Sequence, residues 1–356
     1  MKRILFLCMI YGVLANHAVA DNTMVQTKHN VSNHEERQDS QDKHTPISFF
    51  PTKRALVTNR VFDSVRNLSF NFELAKSGLV APHTNPVKVM STIQTKPIFW
   101  GANWYNPRFY SDKVLGLMSF YQNIQSSTYT DNISEYLPDK LDHYVVSPVI
   151  DTSPASLDSQ DVLNKICDVA GAFNADTDYF PVYVDLKRGN ASFCAYHGAG
   201  TCNGHPVQFA FFFNIDDDPD CDPQSPYAPP VKSLYSQRPG AISGLSSNYQ
   251  QSQGLAALAN VSAHELMETI TDPVYFPANG NPYWSGWFDA FGAEIGDKCA
   301  WTFGPSNTGE SPGTVSIGSF NWKLQGTWSN EAQTSGIGGY PTKNGSTTQY
   351  GCISGS

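Results

Sequence analysis

The chain has 356 residues, of which 40% are hydrophobic, 13% aromatic and 15% charged, and this composition excludes global disorder. Lys and Arg number 23 against 32 Asp and Glu, a formal net charge of −9. A surface of that sign repels phosphate backbones and anionic lipid, so neither nucleic acid nor membrane is an expected partner of the mature chain.

Residues 1–20 read as a secretory signal: a basic start (Lys2, Arg3), an apolar run from Ile4 to Ala15, and Ala18-Val19-Ala20 as a small-residue cleavage site. The run is shorter than the ~20 residues that cross a bilayer, so the expectation is an exported, extracellular protein. Residues 21–46 are polar and read as a flexible leader, and residues 47–95 as an N-terminal arm or pro-region with a short strand or two. The remainder, 96–356, is expected to be an α/β domain, a mixed sheet with flanking helices, braced by disulfides.

Within it, Pro97 to Gly101 predicts a short strand, and apolar spacing through Val114, Leu115, Leu117, Met118 and Tyr121 predicts a helix from about Ser111, with Ser111 as its N-cap. A second helix is predicted over 159–172, then strands over Tyr179–Asp185 and Val207–Ile215. Residues 216–250, rich in Asp, Pro and Ser, predict a long loop. Gly254 to Thr271 is the strongest predicted helix, stopped by Asp272-Pro273 because proline lacks a donor and clashes with the preceding turn. Alternating residues over Thr314–Gln325 predict antiparallel strands.

Of seven cysteines, Cys8 lies in the signal and the other six form an even set, as expected for three disulfides in an oxidising compartment. Sequence separation favours Cys194 with Cys202 and Cys299 with Cys352. No Cys-x-x-Cys pair is present, which argues against a thiolate zinc knuckle.

The chemistry concentrates on the predicted helix, in His264-Glu265-Leu266-Met267-Glu268. At about 100° per residue, His264 and Glu268 lie about 40° apart and one turn distant, so both can reach a single ion. This is the geometry of the zincin helix, where ligands at i and i+4 hold zinc and the intervening Glu activates water, with the second histidine here replaced by Glu268. Downstream, Glu294 and Asp297 supply a third ligand and an orienting acid, in either assignment. A plainer reading is equally written in the wheel: the apolar arc runs through Leu255, Ala259, Leu266 and Ile270, and His264 and Glu268 share the opposite, solvated sector. Glu265 at the margin of the apolar arc favours the metal reading, since an unpaired carboxylate is costly there.

His197, beside Cys194, reads either as a structural histidine or as a ligand or transition-state donor; in the latter role it joins Glu265 as a candidate catalytic residue. Asp216, Asp218, Asp220 and Asp222 alternate like a calcium loop, but Cys221 and Tyr227 stand where an EF-hand needs glycine and glutamate, leaving only a looser calcium site. Trp284, Trp287 and Phe288 are candidates for a cleft wall. No Gly-x-Ser-x-Gly elbow supports a serine hydrolase.

Taken in order, Phe99-Trp100-Gly101, Ser127-Thr128-Tyr129, Phe193-Cys194-Ala195-Tyr196-His197, His264 to Pro273, Glu294 to Trp301 and Trp328-Ser329-Asn330 resemble the EXORDIUM-like family and its secreted microbial relatives, over about Lys96 to Cys352. The resemblance implies an extracellular, cysteine-stabilised α/β protein; its plant branch looks like growth-associated cell-wall proteins and its microbial branch like metallopeptidases. The expected function is therefore a secreted zinc-dependent hydrolase acting on peptide, with His264, Glu268, Glu294 and Asp297 around the ion. The alternative is a non-catalytic extracellular binding protein with a structural zinc or calcium, its partner a cell-wall glycan.

Overall fold

The structure is a computed structural model and describes residues 47–52, 78–80, 87–223, 252–278, 281–290, 292–304, 313–338, 340–341 and 348–355, all within one unit, Pro46–Ser356. The expected signal, the leader and most of the loop after residue 223 lie outside them.

Eight strands form one mixed sheet: β1 (Ile47–Pro51), β2 (Thr92–Thr95), β3 (Ile98–Trp100), β4 (Asp142–Val145), β5 (Val149–Asp151), β6 (Asp178–Lys187), β7 (Phe193–Cys202) and β8 (His205–Asn214). Their order is β1-β7-β8-β6, then β2 and β3 end to end beside β6, then β4 and β5 outside those. β6, β8 and the four short strands are mutually parallel, whereas β7 runs antiparallel to both β8 and β1. β1 and β2 thus place the expected N-terminal arm in the same sheet as the rest of the chain.

The break between β2 and β3 has a partner in the sequence. Pro181 lies mid-way along central β6, where a missing N–H would leave a neighbouring carbonyl unpaired. Tyr179 accepts from Lys96 N at 2.8 Å, so Tyr179 and, two residues on, Pro181 face the β2/β3 side. There Pro181 meets the gap at Lys96-Pro97, between the β2 and β3 pairings, and no ladder bond is asked of it.

Three helices cover the sheet: α1 (Leu115–Asn123), α2 (Ser159–Val169) and α3 (Gln253–Thr271). α1 is entered through Pro107–Phe109 and a wide π-turn, Tyr110–Val114; the cap is Asn106, whose side chain accepts from Arg108 N, and the expected cap Ser111 instead donates to Pro107 O at 2.7 Å. Asp158 caps α2, and Ser252 caps α3 by accepting from Leu255 N at 3.0 Å. Tyr183 of β6 ties α1 and α3 to one face, its hydroxyl lying 2.7 Å from both Tyr121 Oη and Ser262 Oγ. Gly116 permits the contact between these helices, since a Cβ there would meet Leu255 Cδ2 at 2.3 Å. α2 takes the other face: its Leu163 lies over Gly200, and Gly200 and His197 point to opposite sides of β7.

After the short strands β9 (Val274–Tyr275) and β10 (Tyr283–Trp284), α3 is covered a second time from outside by the hairpin β11 (Thr314–Ile317) and β12 (Phe320–Lys323), whose Trp322 is buried edge-on against Phe120. Every residue from Gly254 to Thr271 is consequently buried. The solvated sector expected for His264 and Glu268 does not exist, because the wheel records polarity and not what packs on it.

Three disulfides close the fold: Cys167–Cys202, Cys194–Cys221 and Cys299–Cys352. The last is as expected, and the expected Cys194–Cys202 pair is not formed. Those two residues sit at opposite ends of β7, roughly 26 Å apart at 3.3 Å per residue, far beyond the ~7 Å limit for a bridge.

His143 on β4 is buried with its Nε2 2.8 Å from Thr95 Oγ1, and burial lowers its pKa to about 4. The folded chain therefore resists a proton that the unfolded chain accepts near pH 6.5, and stability present above that pH is lost as pH falls toward 4. His143→Gln should melt close to the parent at pH 7.5 and above it at pH 4.5, by about 2 kcal/mol in denaturant titrations.

Candidate metal centre

α3, the sheet and a C-terminal loop bring seven ionisable side chains to one place. α3 supplies His264, Glu265 and Glu268, and its C-cap supplies Asp272; β7 supplies His197; the segment after residue 292 supplies Glu294 and Asp297. His197, His264, Glu265, Glu268 and Asp272 are at most 1% exposed.

The i, i+4 arrangement on α3 sets His264 Nε2 3.0 Å from Glu268 Oε2, and Asp297 Oδ1 lies 3.8 Å from the same nitrogen. His197 Nδ1 lies 3.1 Å from Glu265 Oε2 and 3.4 Å from Glu268 Oε2. Its other nitrogen, Nε2, is 3.6 Å from Asp272 Oδ2 and 4.0 Å from Glu294 Oε2. Three overlapping groups result, in each of which one donor atom per residue lies within 4.8 Å of the others: His264, Glu268 and Asp297; His197, Glu265 and Glu268; and His197, Asp272 and Glu294. Of the two downstream acids, Asp297 thus stands with the helical pair and Glu294 with His197.

Among the described residues no lysine or arginine pairs with any of the five carboxylates; nearby Lys298 is held by Asp289 at 3.1 Å and lies over the Trp328 ring. Burial accordingly raises Glu265, raises Glu294 and Asp297 well above the carboxylate range, and pushes Asp272 up to about 7. Burial pushes Glu268 the same way, but the charge of His264 and the hydrogen bond to His197 outweigh it and hold its carboxyl at about 2. The imidazoles respond oppositely: burial would lower them, yet the surrounding acids raise His264 to about 9 and His197 well above its usual value. Four buried atoms in the cluster lack a hydrogen-bond partner: His197 Nε2, His264 Nε2, Glu265 Oε1 and Asp272 Oδ2.

Supporting contacts fix the cluster. Asp297 N donates to Glu268 Oε1 at 3.0 Å, and Thr271 Oγ1 donates to Asp272 Oδ1 at 2.8 Å. Gln325 reaches from beyond β12 to set its amide nitrogen 2.7 Å from His264 Nδ1 and to donate to Gly296 O at 3.1 Å, while its Oε1 accepts from Trp301 N. Trp284 stands edge-on to His197, ring centroids 5.1 Å apart, whereas Trp287 is turned to donate to Tyr136 O and Phe288 is tied through its backbone to Val80.

Asp272 and Gln325 were not marked by the sequence as site residues. Asp272 reads there only as a helix stop, and nothing local distinguishes a glutamine some 60 positions from the histidine it touches. The looser calcium site has its charges matched otherwise: Asp216 pairs with Lys113 at 2.9 Å, and Asp218 and Asp220 share Arg188. Comparison with protein-family models, curated proteins and solved structures finds no match for this chain.

Gly296 has an ordinary backbone conformation, yet a Cβ there would lie 2.6 Å from His264 Nδ1 and 2.8 Å from Glu268 Oε1. Gly296→Ala should displace both donors while Cys299–Cys352 keeps the loop attached. If the cluster holds zinc, the expected outcome is at least a tenfold loss of zinc affinity by competition with a chromogenic chelator, with the far-ultraviolet circular dichroism unchanged.

Proposed function

We propose that the chain is an exported, zinc-dependent hydrolase acting on peptide bonds. The observation that carries the reading is a buried cluster of imidazoles and carboxylates in which His197 Nε2, His264 Nε2, Glu265 Oε1 and Asp272 Oδ2 lack hydrogen-bond partners and, among the described residues, no lysine or arginine pairs with a carboxylate. Isolated carboxylates cost several kcal/mol each to bury, and a dication among them offsets that cost. The imidazole nitrogen that each of the three groups contains favours zinc over calcium, which takes six to eight oxygens. The signal-like start at residues 1–20 and three disulfides support export.

His264, Glu268 and Asp297, whose donor atoms lie within 4.8 Å of one another, would hold the ion. Bound there, zinc supplies Lewis acidity to a carbonyl and to water. Glu265, whose Oε1 is free and whose Oε2 is oriented by His197 Nδ1, takes the proton of the attacking water. The water oxygen bonds to the carbonyl carbon, the C–N bond breaks, and Glu265 returns the proton to the leaving amine. Asp272 Oδ2 lies 3.6 Å from the opposite nitrogen of His197, so that Glu265 and Asp272 flank the ring on its two sides.

The completeness of the burial favours a second reading, in which the ion only clamps α3 to the Glu294–Asp297 segment. Glu265→Gln and Glu268→Ala separate the two. In a hydrolase, Glu265→Gln retains stoichiometric zinc by elemental analysis and loses at least a hundredfold in cleavage of a mixed peptide library, while Glu268→Ala loses both. A parent that holds zinc and cleaves nothing leaves the clamp, and a parent without metal removes both readings.

A further inference from the structure

The chain's own N-terminal strand walls off the cluster. β1 pairs antiparallel with β7 and sets Ser48 opposite His197 and Phe50 opposite Ala195. Side chains of a strand alternate, so Ser48 and Phe50 share the face that His197 presents to α3. Phe50 is fully buried, its ring stacked on His264 at 4.0 Å between centroids and on Trp301 at 4.8 Å. Ser48 Oγ donates to Glu294 Oε2 at 2.9 Å. Phe49 turns the other way, against Phe193 and Tyr196.

β7 does not depend on this partner. β8 pairs with it from Ala195 to Cys202, and disulfides anchor it at both ends, through Cys194 and through Cys202. With β1 withdrawn, β7 becomes an edge with unpaired backbone groups, beside a flat slot between His264 and Trp301 and an acid at Glu294. Those three features, a strand edge, an aromatic slot and a carboxylate facing a hydroxyl, describe an extended peptide.

Resting on the hydrolase reading, we infer that β1 fills the substrate cleft as a built-in mimic. The substrate is an extended peptide that replaces it antiparallel to β7, with an aromatic side chain in the Phe50 slot and a small hydroxyl residue two positions earlier. A cluster whose members other than Asp297 are at most 4% exposed is then a closed state, opened when β1 leaves.

The test uses the full-length chain and a fluorescent hexapeptide of the sequence Ile-Ser-Phe-Phe-Pro-Thr, read by anisotropy. Phe50→Ala should weaken β1 and bind the probe at least tenfold more tightly than the parent. Phe49→Cys with Tyr196→Cys, direct partners across the ladder, should lock β1 by a disulfide and bind at least tenfold more weakly than the single Phe49→Cys variant. A probe with Ala in place of its second Phe should lose at least tenfold in affinity for every variant that binds. Equal binding by locked and unlocked chains, or by the two probes, overturns the proposal even where Phe50→Ala fails to fold. Zinc is assayed on the same samples: probe exchange in a metal-free chain counts against the hydrolase alone, and a zinc-loaded chain indifferent to the lock counts against the strand alone.

Discussion

The molecule is organised around a charge imbalance: five carboxylates and two imidazoles share a space from which water is excluded, with no lysine or arginine among their described partners. In such a medium each ionised group interacts strongly with its neighbours and none can be screened. Among the described residues, protons are the only cations the chain itself can put there. The surrounding acids raise both imidazoles and burial raises four of the carboxyls, whereas Glu268, a member of two of the three groups, is held low. That pattern is a store of exchangeable protons on groups that would have to release them to ligate a metal ion.

The rest of the fold makes this concentration tolerable. α3 can carry His264, Glu265 and Glu268 into the interior because it is gripped on one side by the sheet and on the other by the β11–β12 hairpin, each with large aromatic contacts. Burial of Tyr183, Phe120, Tyr121 and Trp322 supplies roughly 2 kcal/mol or more per side chain and holds the helix in place between the two layers. The Cys299–Cys352 bridge fastens the Glu294–Asp297 segment close behind its last acid, so the downstream carboxylates arrive on a braced loop.

What the sequence made legible follows from the range of the interactions involved. Local signals located α2, α3, its Asp272-Pro273 stop, and strands β3, β6, β8, β11 and β12, because caps, proline and alternation act within a few residues. The pairing of β2 with β3 end to end, and the accommodation of Pro181 opposite their junction, needed a neighbour supplied by distant chain. The helical pair His264 and Glu268 was readable from spacing alone, and Glu265, Glu294, Asp297 and His197 come together with it. Burial of that pair was not readable, since it depends on the hairpin packing over a face whose residues look solvated. Cys194 and Cys202 were misjoined for a related reason: closeness in sequence is separation in space when the intervening residues are an extended strand.

One contact couples these parts. The Gln325 amide is fixed by Trp301 N on its oxygen and Gly296 O on its nitrogen, and so presents a second N–H to His264 Nδ1. In the neutral ring that bond places the remaining proton on Nε2, facing Glu268. An ion bound at Nε2 requires the opposite tautomer, with Nδ1–H meeting an acceptor, so the Gln325 amide must turn and release Trp301 and Gly296. Gly296 lies between Glu294 and Asp297, and Trp301 forms one wall of the Phe50 slot. Were an ion held at Nε2, the same amide would therefore link that site to the ring on which Phe50 is stacked.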